Sequence, residues 1–166
     1  MATASQTRVR ASTWTLGSLC AIFIGIQFIR PELTNQPTKA ELKAPPEVKR
    51  ILQNSCYSCH SNQARLVWFD EIAPAYWLVA KDVKQARKHL NFSEIAKLPA
   101  AQQKAVLFES VNEIQVGAMP LPLYVRLHSE SVITPQQLAL LKRYLHSPAR
   151  NKPAGAADIR AAKSGI

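Results

Sequence analysis

Ile51-Leu-Gln-Asn-Ser-Cys56-Tyr-Ser-Cys59-His60 decides how this chain is read. It sets a Cys-x-x-Cys-His run directly behind an apolar-spaced segment, and that run is the attachment signature of c-type haem. The chemistry requires the spacing, because two thiols add across the two vinyl groups of one haem and the next residue turns its imidazole onto the iron. Cys56 and Cys59 are therefore the expected thioether donors, and His60 the expected proximal ligand, of a single covalently attached haem c. Zinc is the main rival. A structural zinc site takes four side chains, commonly with a second Cys-x-x-Cys or a closely spaced His pair, and the chain has no such second half. A thioredoxin-like dithiol calls for a βαβ setting, and no strand pattern flanks Cys56.

The start of the chain bears on whether that chemistry is accessible, since haem c is attached on the outer side of the bacterial cytoplasmic membrane. Residues 11–29 carry no charge. At helical rise they extend roughly 28 Å, close to the hydrocarbon thickness of a bilayer, which predicts a transmembrane signal anchor over 11–30. Arg8 and Arg10 precede it, so residues 1–10 are expected in the cytoplasm and everything after Arg30 in the periplasm. Gln27-Phe-Ile-Arg-Pro31 lacks the small-x-small pattern that signal peptidase cuts, which favours an uncleaved anchor over a removed signal. Cys20 lies inside this segment beside Ser18 and Leu19, a poor lipoprotein cleavage box, and reads as a small apolar membrane residue.

Composition then divides the rest. Pro31, Pro37, Pro45 and Pro46 punctuate a stretch of Thr, Lys, Glu and Ala, and 31–45 is expected to be a flexible linker. Residues 148–166 keep no apolar period and are expected to be disordered. Between them, 46–147 forms one small domain whose core the porphyrin would help to fill in place of disulfides. The formal charge of +10 divides into +3 before Pro46, +4 over 46–147 and +3 beyond. The excess therefore sits in the membrane flank and the tail, where it suits anionic lipid or solvent. No basic helix with interleaved aromatics is present, which excludes nucleic acid as a partner.

Within the domain the periodicity is helical throughout, so the expected class is all-α. Pro46 suits a first turn, and Val48, Ile51 and Leu52 make a stripe that delivers Cys56 at the helix end. Asp70 or Glu71 is expected to cap a second helix with Pro74 in its first turn and Ile72, Tyr76, Val79, Val83, Ala86 and Leu90 along one face. A third runs over 101–115 with Leu107, Val111 and Ile114 on one side and Gly117 to stop it. Thr134-Pro-Gln-Gln137 is a capping box, followed by Leu138, Leu141 and Leu145.

The sixth iron ligand separates electron transfer from ligand chemistry. Met119 stands in Gly117-Ala-Met-Pro-Leu-Pro122, 59 residues after His60. A proline-stiffened loop between two helices can hold a thioether over the open face, and His/Met coordination raises the reduction potential relative to two nitrogens. The bland reading makes Met119 a core gap-filler. His89 is the alternative distal ligand, or a partly buried packing residue bonded to Asn91 or Glu94. His128 is expected in an exposed loop, and His146 at a helix end where a cation suits the dipole. Arg65 is a candidate for a haem propionate, its fork matching a carboxylate, or simply a surface residue. Trp68, Tyr76 and Trp77 could wall the porphyrin or serve as ordinary core.

Cys56-Tyr-Ser-Cys-His-Ser-Asn62, Trp68, Ile72-Ala-Pro74, Trp77-Leu-Val79, His89-Leu-Asn-Phe-Ser93 and Met119-Pro120 through Tyr124 and His128 together resemble the bacterial haem-binding domain family of small periplasmic c-type cytochromes. The match covers 46–146 and is far more specific than the haem motif alone. More distantly, the order of helix, haem motif, methionine loop and closing helix resembles class I cytochrome c. The resemblance implies haem c with His60 proximal and Met119 distal. One departure is Leu121 between Pro120 and Pro122, where the family commonly has adjacent prolines and then an aromatic.

These readings converge on a membrane-anchored mono-haem cytochrome, cytochrome c-like in fold, carrying single electrons between redox proteins. No substrate and no catalytic residue is expected, so the protein is not read as an enzyme. Two rivals come from other classes: an open sixth position would make a peroxidase or a gas or redox sensor, and a haem serving structure would make a subunit of a larger membrane redox complex.

Overall fold

The computed structural model describes residues 3–147, with side chains from residue 12 onward. The expected disordered tail lies outside the described residues, as do the side chains of the expected cytoplasmic segment. Helices α1 (Thr3–Ile26), α2 (Pro46–Ser55), α3 (Tyr57–His60), α4 (Ala75–His89), α5 (Ala100–Gln115), α6 (Pro122–Leu127) and α7 (Pro135–His146) follow in order. Two short 3-10 turns, Ile95–Lys97 and Ser129–Ser131, complete the regular structure. Among the described residues there is no strand, and the all-α expectation holds.

The core lies where α2, α5 and α7 meet. Val48, Ile51 and Leu52 come from α2, Leu107 from α5, and Leu141 and Leu145 from α7, packed with Tyr57, Phe92 and Ile95. The stripes predicted for α2, α5 and α7 thus fall on the buried faces, whereas Ile72, expected on the stripe of α4, precedes that helix and is exposed. α3 continues from α2 after a break at Cys56 and packs against α4, whose own buried stripe is Tyr76, Ala80 and Val83. Phe92 is almost wholly enclosed, its ring stacked on Tyr57 at 5.2 Å.

Helix ends follow local chemistry. At α7, Thr134 Oγ1 accepts from the Gln137 N–H at 3.2 Å while Gln137 Oε1 accepts from the Thr134 N–H at 2.8 Å, the reciprocal box that the sequence announces. At the end of α5, Gly117 takes a left-handed φ of 75°. There the Ala118 N–H donates to Glu113 O and the Gly117 N–H to Ile114 O, which makes a Schellman motif. The start of α4 differs from expectation. The helix begins at Ala75 with Pro74 in the cap position, and neither Asp70 nor Glu71 caps it. Asp70 is instead buried, its carboxylate accepting from the Val67 N–H and facing His128. Glu71 pairs with Arg30.

Among the described residues no helix is long and apolar enough to cross a membrane, so the transmembrane helix expected over 11–30 is not found there. α1 stops at Ile26, four residues short of the expected end. The chain beyond is drawn onto the domain. The Gln27 amide exchanges two hydrogen bonds with the Ala73 backbone, Trp77 Nε1 donates to Ile29 O at 2.6 Å, and the Tyr76 hydroxyl donates to Pro31 O at 2.8 Å.

The segment 31–45 has no helix, yet it is strapped down. Arg87 donates to Thr34 O and Asn35 Oδ1, the Ala40 N–H donates to Ser93 O, the Leu42 N–H donates to Phe92 O, and the Leu42 side chain enters the core. Three substitutions test these assignments in denaturant unfolding. Phe92→Ala should cost about 3–5 kcal/mol. Thr134→Ala should cost about 1 kcal/mol through the lost cap. Gly117→Ala should cost about 1 kcal/mol from backbone conformation alone, since an added Cβ there meets no atom within 4 Å.

Candidate functional site

The break between α2 and α3 builds one wall of the site. The His60 N–H donates to Cys56 O at 2.9 Å and the Cys59 N–H to the same carbonyl at 3.2 Å, so one turn of chain gathers both thiols and the imidazole. α4 and the residues behind it complete that wall. His60 Nδ1 lies 3.0 Å from Leu90 O, and the Phe92 N–H donates to His60 O at 2.8 Å. A carbonyl can only accept, so Nδ1 carries the proton and Nε2 keeps its lone pair. Burial lowers the proton affinity of His60, and the Leu90 and Ala86 carbonyls offset this in part. The imidazole is held neutral, as a metal ligand must be.

A cleft of about 470 Å³ opens against this wall, within the range usual for cofactor sites. Cys56, Cys59 and His60 line it together with Leu90, Phe92, Val106, Ile114 and Tyr124, and Met119, Pro120 and Leu121 line it from the loop after α5. Both cysteines are free thiols. Burial, then the neighbouring Cys59, pushes the Cys56 thiol up to about 12. Burial, then Asp82 and Asp70, pushes Cys59 up to about 11. Thiols raised in this way are unlike the depressed thiols of dithiol catalysts. Among the described residues no three His, Cys, Asp or Glu side chains converge on a point that could hold a metal ion. The donor set of two neutral thiols, one ligand-ready imidazole and one thioether around an apolar cleft fits haem.

The other sequence candidates are dispersed. His89 lines the cleft but is exposed, and it precedes Leu90, the residue that holds the His60 ring. It belongs to the His60 wall and lowers the proton affinity of that imidazole. Arg65 is exposed and does not line the cleft. Beside it, Asn35 ties down Ala64 through both its side-chain oxygen and its amide. No Lys or Arg is among the lining residues, whereas Asp82, Glu109 and Glu113 are. Trp68 is exposed, Trp77 is partly covered by the chain after α1, and neither lines the cleft; Tyr76 belongs to the α4 core.

His128 departs furthest from expectation. It is 3 % exposed, with Nδ1 3.1 Å from Tyr124 O and Nε2 3.0 Å from Asp70 Oδ2. Its ring stacks on Tyr124 at 3.9 Å between centroids. Sequence spacing carries no signal for a contact 58 positions apart. Arg87 was missed for the same reason: it reads as one of several basic residues on α4, yet Nε donates to Ser61 O at 2.7 Å. Asn91 was legible only in part. Its Oδ1 accepts from the Ser93 N–H, a local turn any Asn-x-Ser favours, while its amide donates to Asn62 across the domain.

An all-helical domain with a neutral, oriented imidazole and two protected thiols on one apolar cleft defines a haem-binding protein. The model of the haem-binding domain family matches residues 21–147, and the chain belongs to that family. No curated protein and no solved structure matches it.

In chain made without haem, Cys56 and Cys59 should be alkylated at about pH 8 at least tenfold more slowly than an ordinary thiol titrating near 8.5. The rate should climb as pH rises towards the raised values, since only the thiolate reacts. Alkylation at the ordinary rate would contradict a half-buried, neutral pair.

Proposed function

We propose that this protein is a mono-haem c-type cytochrome that carries single electrons at the outer face of the bacterial inner membrane. Cys56 and Cys59 hold the haem covalently, His60 is the proximal ligand and Met119 the distal one. The observation that carries the reading is that both thiols, the imidazole and the thioether line one cleft. Haem c bound there supplies a centre that takes up and releases one electron with no bond made in a substrate.

The chain's part is to bind, orient and exclude water. Leu90 O fixes the His60 tautomer and ring plane, as the outer partner of a ligating histidine generally does. Leu90, Phe92, Val106 and Ile114 supply a dry wall that favours the less charged, reduced state, and Met119 opposite an imidazole acts in the same direction. Asp82, Glu109 and Glu113 oppose that tendency by favouring positive charge. Met119 and Leu121 are exposed at the mouth, which supports an accessible edge for exchange with redox protein partners. Trp14, Leu16, Leu19, Ile22 and Phe23 are exposed along α1, which supports attachment to a membrane.

Full-length protein produced with haem c maturation should show sharp ferrous bands and a ferric far-red band from sulfur-to-iron charge transfer. Met119→Ala should erase that band, lower the potential and let the ferrous protein bind carbon monoxide. An unchanged spectrum in Met119→Ala would remove methionine from the iron. Rapid carbon monoxide binding by the unaltered protein would instead favour the peroxidase or sensor reading.

A further inference from the structure

The loop that carries Met119 is held at its two ends by different means. Behind it, the Met119 N–H donates to Glu113 O at 3.1 Å as part of the α5 terminus. Ahead of it lies α6, and none of the six residues of that helix is buried. Leu123 and Leu127 are 60 % and 61 % exposed, so α6 has no apolar anchor in the core. The buried groups at its far end are polar: His128 in the cap position, and Ser131 in the turn that follows. Ser131 Oγ donates to Asn54 O at 3.4 Å, and His128 adds the buried side-chain bond that reaches the segment before α4. Its ring nitrogens reach Tyr124 O and Asp70 Oδ2, and its faces lie against Tyr124 and Phe69, at 3.9 and 5.2 Å between centroids. Asp70 is itself fixed by the Val67 N–H, on the segment leading into α4.

We infer that the buried His128–Asp70 couple is a latch that positions Met119 over the cleft, making both residues positioning residues for the distal ligand. This rests on the reading of Met119 as that ligand. With α6 exposed on its outer side, the latch ties the loop to the body of the domain and Tyr124 transmits its position, since Tyr124 stacks on His128 and lines the cleft beside Met119. Tyr124 O and Asp70 Oδ2 are both acceptors, so the ring donates from both nitrogens or Asp70 supplies the second proton. An amide at position 70 can donate to an unprotonated Nε2 and preserve the link.

The test uses full-length haem-loaded protein and three variants. His128→Phe keeps the ring stack but loses both hydrogen bonds, Asp70→Leu removes the partner, and Asp70→Asn is the conservative rescue. His128→Phe and Asp70→Leu should retain covalent haem and helical circular dichroism. They should lose most of the ferric far-red band and bind added imidazole about tenfold more tightly or better, as expected for one charge-assisted hydrogen bond. Asp70→Asn should keep most of the band. If Asp70→Leu does not fold, His128→Phe decides. A full-strength band in His128→Phe overturns the latch while leaving Met119 as ligand. Equal loss of the band in Leu141→Ala, buried in the core away from the loop, marks general loosening and also overturns it. Absence of the band from the unaltered protein, with no spectral change in Met119→Ala, removes the ligand reading and the latch with it.

Discussion

The bond from His60 Nδ1 to the Leu90 carbonyl is the constraint on which the rest depends. Beside it the Phe92 amide bonds His60 O, so two hydrogen bonds join the Cys-x-x-Cys-His turn to the end of α4. That junction turns α3 against α4 and sets Phe92 edge-on to the imidazole at 6.5 Å, both rings lining the cleft. One bond pairs the ring proton with a main-chain carbonyl and the other pairs two main-chain groups, so the arrangement fixes a tautomer without introducing a charge. The apolar core of α2, α5 and α7 then supports a turn already committed to one geometry.

Around that junction the domain is stitched by polar groups as well as by the apolar core. Arg87 collects Ser61 O, Thr34 O and Asn35 Oδ1, and burial lowers its proton affinity. Asn62, Asn91 and Ser93 form a second cluster, in which Ser93 Oγ accepts from the Asn62 N–H at 3.0 Å. Satisfied networks of this kind specify one arrangement, because any slip strands a buried polar group without a partner. A small chain that encloses a large cofactor has few apolar side chains to spare, and directional bonds take over the role of specifying register.

The parts legible in the sequence were those governed by local rules. Helical stripes such as Val48, Ile51 and Leu52, the Thr134 box and the Gly117 stop depend on neighbours within a turn or two, and each appears as expected. The two thiols and His60 were legible because attachment chemistry dictates their spacing, and they line one cleft with Met119. What escaped depends on contacts between distant segments. Asp70 looked like a helix cap because acidic residues favour that position, but a partner 58 residues away claims it. His128 looked exposed because Ser and Glu follow it; burial of one ring is decided by what packs around it, here Tyr124 and Phe69. Arg65 was close to His60 in sequence but does not line the cleft, and beside it Asn35 ties down Ala64.

The strapping of 31–45 changes how the cleft can search for anything. A free linker of that length would let the domain wander over roughly 20 Å in every direction. Held by Gln27, Trp77, Tyr76, Arg87 and the backbone of Phe92 and Ser93, the chain gives up that freedom. The cleft is then less a hook on a line than a socket at a set height and angle relative to α1. Haem entering the cleft meets walls whose angle to the chain leaving α1 is already set.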